Sequence, residues 1–481
     1  MFELRPYQQK TIQSLKIKTA SGLKRLIMLC GTGGGKTVMF CYMISKALEK
    51  QKRCLILTHR TELLTQAGGT LEQFGLVPRV VNPKAKKLPL ESNLYVAMTK
   101  TIMARINKTK SVNNTSNEYI QWLQSFDLII IDEAHLQDFN SLLPYINQNT
   151  FVIGATATAE RKGNQTCLSE FYQDIVNEIT LSELIELGFL AKPKSFGVNI
   201  DLSGIKTKGG DYDNDMVGDL FEKTQLYEGV YENYQRLAPN TKTIIFAPNV
   251  KSSLLLVEKL LAKGLLIKHI DGTTPEAERK SILKWYKETQ NALISNVGIL
   301  TAGFDEPNIE TVILYRATKS LPLFLQMVGR GSRTTPNKDS FTILDFGNNI
   351  QRHGFWEDDR EWSLVKKPKT KGIAPVKDCK CGALLRLSLQ VCPYCGYQFP
   401  PPKIKEPIEV VLEQLKKDDI ELYKQYQKFI KLEKRASDKG FKKGWVIWQL
   451  KTIKDFEDYE KFKNYKRGWA KYQIEQRGIE N

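Results

Sequence analysis

The sequence predicts an α/β protein: two tandem parallel-sheet domains, then a cysteine knuckle and a helical C-terminal domain. Three observations carry that prediction. Short, near-continuous apolar runs alternate with helical or polar segments, the pattern of strands covered by helices on both faces. A glycine loop, Cys30–Thr37 (CGTGGGKT), lies between one such run and a helix-like segment. Cysteines cluster late in the chain, at Cys379, Cys381, Cys392 and Cys395.

The chain has 481 residues, room for about three domains at roughly 150 residues each, with cores that need no staples. It carries 71 Lys+Arg against 53 Asp+Glu, net +18. That balance favours a polyanionic partner, nucleic acid first; a lysine-rich coding bias is the bland alternative. No apolar run reaches the ~18 residues that cross a membrane, and MFELRPYQQK lacks a signal-peptide core. Four of the eight cysteines are scattered in the first half, which excludes a secreted disulfide framework.

The opening RPYQQKTIQSLK is a helix start, with Pro6 in its first turn. Leu26–Leu29 is a strand and Val38–Leu48 a helix, so CGTGGGKT is the turn between them. Such a turn wraps backbone N–H groups around phosphates, because glycines leave the approach open. Gly31, Thr32, Gly33, Gly34 and Gly35 form the cradle, Lys36 reaches the β/γ-phosphates and Thr37 holds Mg²⁺. The helix N-terminus adds its positive dipole end. Cys30 stands where the pattern usually has its first glycine. Ahead of this loop, Gln8 can pair with an adenine edge and Arg5 can stack on the base; the plain alternative is a surface residue.

Cys54–Thr58, Leu94–Thr99, Leu128–Ile131 and Phe151–Gly154 are the next strands, each ending in polar residues. Catalytic loops in parallel sheets lie at those carboxyl ends. Asp132-Glu133-Ala134-His135 follows the Leu128–Ile131 strand directly. Asp132 is placed to hold the Mg²⁺ shell, and Glu133 to orient or deprotonate an attacking water.

Residues 181–195 read as a helix, a glycine stop and an extended exit into a second domain. Residues 201–240 read as a loop and a helix over that domain's edge. Its strands are Thr243–Ala247, Ile267–Ile270, Asn291–Ile294, Thr311–Tyr315 and Phe341–Leu344. No second phosphate loop appears. Instead this half supplies Ile299–Pro307 (ILTAGFDEP) and Gln326–Thr334 (QMVGRGSRT), where Arg330 and Arg333 fall on one side of a helical turn. Two guanidiniums there can cross a cleft to a γ-phosphate, or simply be surface arginines.

Residues 356–376 are charged and contain Pro and Lys, the composition of a linker. The four clustered cysteines follow as C-x-C, ten residues, C-x₂-C. Cys379, Cys381, Cys392 and Cys395 fit a tetrahedral structural zinc, with an iron–sulfur cluster the poorer match. The tail from Glu406 is helical in pattern, then interleaves lysines with rings such as Trp445, Trp448, Phe456, Tyr459 and Trp469. Cations and rings suit nucleic acid; the bland reading makes most rings the core of a small helical domain and the lysines its solvated face. The expected layout is therefore 1–180, 181–355, a linker over 356–376, a knuckle over 377–400 and a basic helical domain over 401–481.

Over roughly residues 1–350 the order of motifs resembles that of superfamily 2 helicases and translocases. RPYQ matches their adenine-reading Q motif, CGTGGGKT motif I, LTHRTELLTQ (57–66) motif Ia, DEAH (132–135) motif II and GATAT (154–158) motif III. ILTAGFDEP matches motif V and QMVGRGSRT motif VI. Within the superfamily, LRPYQQ, TPEAER (274–279) and the cysteine knuckle look most like RadD-type and phage-encoded helicases. The later domains of DEAH-box RNA helicases have no evident counterpart.

The resemblance implies two RecA-like domains with ATP in the cleft between them. It implies Lys36, Thr37, Asp132 and Glu133 as the hydrolysis set, Gln326 near the γ-phosphate, and Arg330 and Arg333 as arginine fingers. Arg5 and Gln8 would read adenine, and Gly303 and Asp305 would shape the motif V loop. Arg60, Thr99 and Thr301 would touch the nucleic-acid backbone, and Thr156 and Thr158 would couple the two sites. The expected activity is that of an ATP-driven motor on nucleic acid, DNA before RNA. The rivals are an RNA helicase or remodeller, and a nucleic-acid clamp for which ATP is only a switch. Cofactors would be ATP, Mg²⁺ and Zn²⁺. Replication or repair proteins would be its partners, as a monomer or an oligomer of unknown order. The expected location is the cytoplasm, nucleoid-associated, or the host cytoplasm for a phage-encoded chain.

Overall fold

The computed structural model describes residues 3–58, 71–72, 74–81, 92–110, 118–160, 166–197, 200–224, 226–301, 303–365, 376–378, 384–386, 391, 396–399, 413–414, 417–438, 441, 444–463 and 465–478. No helix among them is long and apolar enough to cross a membrane. The chain divides into two compact units, Met1–Leu412 and Glu413–Asn481.

The first unit opens with α1 (Pro6–Ala20), whose Tyr7, Thr11, Ile12 and Leu15 are buried. The strands β1 (Arg25–Leu29), β2 (Cys54–Thr58), β3 (Arg79–Val81), β4 (Leu94–Met98), β5 (Leu128–Asp132), β6 (Phe151–Thr156) and β7 (Asp174–Val176) follow. They form one parallel sheet in the order β3-β4-β2-β5-β6-β1-β7. Both faces are covered, so Ile129, Ile130 and Ile131 are all fully buried, worth about 2 kcal/mol per side chain. The helices α2 (Lys36–Leu48), α3 (Thr99–Lys110) and α4 (Glu118–Gln124) lie between strands in the chain. Gly154 in β6 is a packing requirement. A Cβ there would meet the Ala134 Cβ at 2.7 Å and Ile27 at 2.8 Å, so glycine lets the turn after β5 seat on the sheet.

A short helix, α5 (Leu181–Glu186), leads to β8 (Lys192–Gly197). That strand joins the second sheet, parallel to the last of its neighbours in sequence. Between come a small ribbon, β9 (Thr207–Lys208) and β10 (Asp211–Tyr212), and two helices, α6 (Asn214–Lys223) and α7 (Leu226–Leu237). The single helix expected here is thus a pair. Each is amphipathic and buries its own stripe, Val217 and Phe221 on α6, Leu226, Val230 and Tyr234 on α7. The remaining strands are β11 (Thr243–Phe246), β12 (Ile267–Ile270), β13 (Leu293–Asn296), β14 (Thr311–Leu314) and β15 (Ser340–Asp345). All are parallel, in the order β12-β13-β11-β14-β15-β8. The helices α8 (Val250–Ala262), α9 (Glu276–Glu288), α10 (Leu321–Val328) and α11 (Asn349–His353) complete this half. β13 starts later than expected, because Asn291 takes a left-handed φ of 55° and belongs to the turn.

Residues 356–365 are not the free linker their charge predicts. Trp356 is 1% exposed, and its indole N–H donates to the Leu325 carbonyl at 3.1 Å. Trp362 and Leu364 pack on the core of the first sheet. Aromatic burial outweighs the local charge pattern here.

Val376–Asp378 and Leu384–Arg386 pair antiparallel, and Val391 bridges Gln398. Cys379, Cys381, Cys392 and Cys395 lie outside the described residues.

The second unit holds α12 (Lys417–Asp438), α13 (Trp445–Trp448), α14 (Ile453–Phe462) and α15 (Trp469–Arg477). Its core is Tyr426, Phe429, Val446, Leu450, Phe456, Tyr459 and Ala470, with Trp445, Phe462 and Trp469 against it. Phe441, Trp448, Tyr465 and Tyr472 are exposed.

Candidate active site

The carboxyl ends of β1, β5 and β6 converge on CGTGGGKT. Gly33 and Gly35 turn the loop with φ of 86° and 79°, where a β-carbon is strained. Cys30 continues β1, its N–H donating to the Thr156 carbonyl at 3.0 Å. Its thiol donates to the Gly34 carbonyl at 3.3 Å, and burial pushes that thiol up to about 11. A Cβ on Gly34 would lie 2.4 Å from this sulfur. Cys30 therefore fills the space beneath the loop and makes glycine obligatory above it. Lys36 starts α2, and its ammonium donates to the Cys30 carbonyl at 3.2 Å. Thr37 is the next residue, half-buried at the helix N-terminus.

Asp132 ends β5 and Glu133 turns away from it at a φ of 54°. That is a strained angle for a non-glycine residue. Burial pushes the Asp132 carboxyl up, Glu133 adds to the effect and Lys36 opposes it. His135 Nδ1 lies 2.8 Å from Thr156 Oγ1 and 3.3 Å from Glu133 Oε2. Thr156 Oγ1 gives its hydrogen to the Thr158 carbonyl at 2.9 Å. It must then accept from His135, which puts the proton on Nδ1. His135, Thr156 and Thr158 thus form a hydrogen-bonded line from motif II to motif III, and Glu133 lies against its His135 end.

α10 brings the second domain to this site. Ser320 caps it, accepting from the Leu323 N–H at 3.3 Å, and Pro322 sits in its first turn. The Gln326 amide donates to Glu133 Oε2 at 3.4 Å. Gly329 ends the helix against the phosphate loop, where a Cβ would meet Thr32 at 2.7 Å.

Arg330 and Arg333 do not share a helical turn, because the helix stops at Val328 and Gly331 packs its backbone on Phe341 and Val312. Arg330 donates to the Phe304 carbonyl at 2.5 Å and to the Gln326 carbonyl at 3.4 Å. Arg333 is ion-paired with Asp305. Both guanidiniums are held by the motif V loop, which Gly303 turns with a φ of 73°.

At the other end of the cleft, Gln8 is 4% exposed. Its Oε1 accepts from the Arg5 N–H at 3.0 Å, and a Cβ on Gly35 would lie 2.4 Å from its Nε2. Two residues missed in the sequence join it. The Tyr7 hydroxyl donates to the Gly34 carbonyl at 2.9 Å. Phe189 lies under the Arg5 guanidinium, 4.2 Å from it. Tyr7 had a local signal, its place inside RPYQ. Phe189 had none, since only the fold brings it here.

Thr99 is 1% exposed, with its hydroxyl on the Thr58 carbonyl at 3.4 Å, and Thr301 is buried, with its hydroxyl on the Gly298 carbonyl at 3.3 Å. Neither side chain stands on the surface. Arg60 lies outside the described residues. A cavity of about 510 Å³ lined by Leu15, Met43, Phe126 and Phe151 opens at the amino ends of β5 and β6, at the opposite edge of the sheet from this chemistry.

The donor set fits a magnesium-bound nucleoside triphosphate. The Thr37 hydroxyl and Asp132 carboxylate would serve as hard oxygen ligands, Lys36 would be the cation for the phosphates, and the glycine cradle is one that a β-carbon would obstruct. Among the described residues no group of three or more His, Cys, Asp or Glu could hold a metal ion by itself. Mg²⁺ sites of this kind use one or two protein ligands plus phosphate oxygens and water.

Residues 1–161 match the "Type III restriction enzyme, res subunit" family, and residues 225–335 match "Helicase conserved C-terminal domain". IRC3 of Saccharomyces cerevisiae, a protein named for ATP-dependent helicase activity, is 31% identical over 71% of this chain. The chain spans about half, 51%, of that relative's length. A 51.5 kDa protein of Lactococcus phage (isolate 7-9) is 27% identical over 87% of both chains. The EcoAI endonuclease subunit of an Escherichia coli type I restriction enzyme is 27% identical, over 71% of this chain and 46% of its own. In three dimensions the chain is similar to a fragment of an HsdR-type restriction subunit from Vibrio vulnificus YJ016. The TM-score is 0.58 at 23% identity, covering 73% of this chain and 65% of that one. The first matched segment contains motifs I to III and the second motifs V and VI, and with that order and these folds the chain belongs to the superfamily 2 helicases.

Proposed function

We propose that this chain is an ATP-driven nucleic-acid translocase, stimulated by and acting on DNA. The observation that carries the reading is the Gln326–Glu133 contact of 3.4 Å, with Gly329 against Thr32 beside it. Neither domain has a complete hydrolytic site alone, so catalysis is tied to how they close.

Lys36 neutralises the β/γ-phosphates, and Thr37 and Asp132 hold the magnesium. When bound, that ion stabilises charge on the phosphate oxygens. Glu133 takes the proton of the attacking water, with its carboxylate oriented by the Gln326 amide and the His135 ring 3.3 Å from it. Arg330 and Arg333 act as arginine fingers on release from their motif V partners. The line through Thr156 and Thr158 reports the state of Glu133 to the strand-binding face. Cycles of closing and opening then shift grip along one strand. Arg60, the Thr99 and Thr301 segments and the motif V loop make that grip, through sequence-independent backbone contacts. The restriction-enzyme relatives support DNA over RNA.

Cys379, Cys381, Cys392 and Cys395 bind one structural zinc in this reading. Support comes from the flanking antiparallel pairs, Val376–Asp378 with Leu384–Arg386 and Val391 with Gln398, which bracket each cysteine pair as knuckles do. Metal analysis of the reduced protein should return about one zinc per chain. The layout is then 1–180 and 181–355 for the two motor domains, 377–400 for the knuckle and 401–481 for a basic helical domain.

The test is ATP hydrolysis by the full chain with single-stranded, duplex, forked and four-way DNA and with matched RNA. DNA should stimulate it and Lys36→Ala should abolish it. Stimulation by RNA alone assigns the chain to RNA remodelling, and no stimulation by either leaves only a nucleotide switch.

A further inference from the structure

We propose that the cavity between α1 and α2 is a second ligand site, taking a small apolar molecule that carries one anionic group, and that its occupant acts on the phosphate loop through those two helices. The site itself stands apart from the ATP reading above; the effect on nucleotide binding rests on it.

Two helix stripes wall the cavity. α1 supplies Ile12, Leu15 and Lys16, and α2 supplies Met43, Ala47 and Lys50, at the three- and four-residue spacings that share one helix face. Leu128, Phe151 and Ile153 close it from the sheet. Its volume of about 510 Å³ is in the range of small-molecule pockets. Two hydroxyls among its walls are already engaged. The Thr150 hydroxyl donates to the Phe126 carbonyl at 2.8 Å, and the Ser125 hydroxyl to the Trp122 carbonyl at 2.6 Å. Water inside is left with fewer partners, so an apolar body is the better occupant.

The rim adds a charge requirement. Of the lysines that line the cavity, Lys46 is bonded to Glu49 at 2.7 Å and Lys52 to Asp127 at 3.0 Å. Lys16 and Lys50, one on each helix, are exposed and have no ion-pair partner among the described residues. Asp127 is a lining carboxylate, but Lys52 and the Arg53 N–H already hold it. Two ammonium groups thus stand over apolar walls, and an amphipathic anion satisfies both. The same helices reach the phosphate loop. α2 starts at Lys36, and the Tyr7 hydroxyl of α1 donates to the Gly34 carbonyl at 2.9 Å. At roughly 1.5 Å per residue, Leu15 lies about 12 Å along α1 from Tyr7, and Met43 about 11 Å along α2 from Lys36. An occupant that shifts α1 against α2 is therefore felt at the loop without touching the nucleotide.

Fluorescence titration of the full chain with anilinonaphthalene sulfonate (ANS), and with its uncharged counterpart N-phenylnaphthylamine, tests the site. ANS should bind at a single saturable site. Lys16→Gln/Lys50→Gln changes only exposed side chains and keeps the fold. It should weaken ANS by about 2- to 30-fold, the worth of two exposed ion pairs, and leave the uncharged probe within about twofold. Ala47→Phe fills the cavity and should abolish binding of both probes. ANS affinity unchanged in both variants overturns the site, as does binding of many probes without saturation. Calorimetry with Mg-ADP tests the effect on the loop. Saturating ANS should change ADP affinity by about fivefold or more, and Ala47→Phe should remove the change. Equal ADP affinity with and without ANS overturns the effect. A chain that binds ANS at the variant-sensitive site but binds no Mg-ADP sinks the ATP reading and upholds the site.

Discussion

The Gln326 amide donates to the Glu133 carboxylate at 3.4 Å, joining the end of α10 to the turn after β5. The pair sits between a strained Glu133 backbone, at φ 54°, and a helix whose next glycine touches the phosphate loop. One consequence is that hydrolysis and nucleotide binding should separate by mutation. Glu133→Gln keeps shape and removes the base, so kcat should fall about 10²- to 10⁴-fold, with ADP affinity unchanged by calorimetry. A variant within threefold of wild type in kcat, at roughly the precision of such assays, would remove Glu133 from the mechanism.

Thr156 should matter for coupling more than for hydrolysis. It accepts from His135 Nδ1–H and donates to the Thr158 carbonyl. Thr156→Val keeps the volume and breaks both bonds. Basal ATPase should persist while stimulation by single-stranded DNA is lost. Equal loss of both rates would make the residue a simple support of Glu133.

Trp356 carries the argument that residues 356–365 are structural. It is 1% exposed, bonded to the Leu325 carbonyl, and edge-on to Phe341 at 5.9 Å. Trp356→Ala should cost about 3–5 kcal/mol in urea unfolding. Trp448→Ala, at a ring 75% exposed, should change stability by about 0.5 kcal/mol or less. Similar small effects at both sites would restore the linker reading.

The stability of the second domain should carry a signature of His353. Its Nε2–H donates to the Thr318 carbonyl at 2.9 Å and its ring stacks on Phe324 at 5.3 Å. Burial holds its pKa down at about 4, from an ordinary 6.5. A lowered histidine is neutral in the fold and protonates first in the unfolded chain. Its contribution is therefore complete above pH 6.5 and is lost as pH falls towards 4. Burial raises Asp345 to about 6, which works in the opposite direction across the acid range. Comparing wild type with His353→Gln cancels that effect. The wild-type chain should lose up to about 3 kcal/mol more than the variant between pH 7 and pH 4. Parallel curves would show that His353 is not held neutral.

Much of the candidate site's geometry was legible, because a nucleotide site would demand particular residues at short spacing. A phosphate cradle needs consecutive glycines and a lysine, and Gly33 and Gly35 do hold left-handed φ. A metal carboxylate belongs at the end of a buried strand, and Asp132 ends β5. The arginine geometry was not legible. QMVGRGSRT does not say that the helix ends at Val328, or that Phe304 and Asp305 hold Arg330 and Arg333. Those facts depend on Gly331 packing against Phe341 and Val312, contacts that exist only once β14 and β15 are side by side. The burial of the Thr99 and Thr301 side chains was not legible either, since a motif letter carries no burial.

By itself the sequence determined the two parallel sheets, the phosphate loop and the acidic pair, because periodicity and glycine chemistry are local. Only the tertiary structure decided that Gln326 meets Glu133, that Gly329 rests on Thr32, that Phe189 lies under Arg5, and that Trp356 is core. Each of these is a contact between residues distant in the chain. Burial of apolar faces sets which elements meet, and no short pattern encodes that outcome.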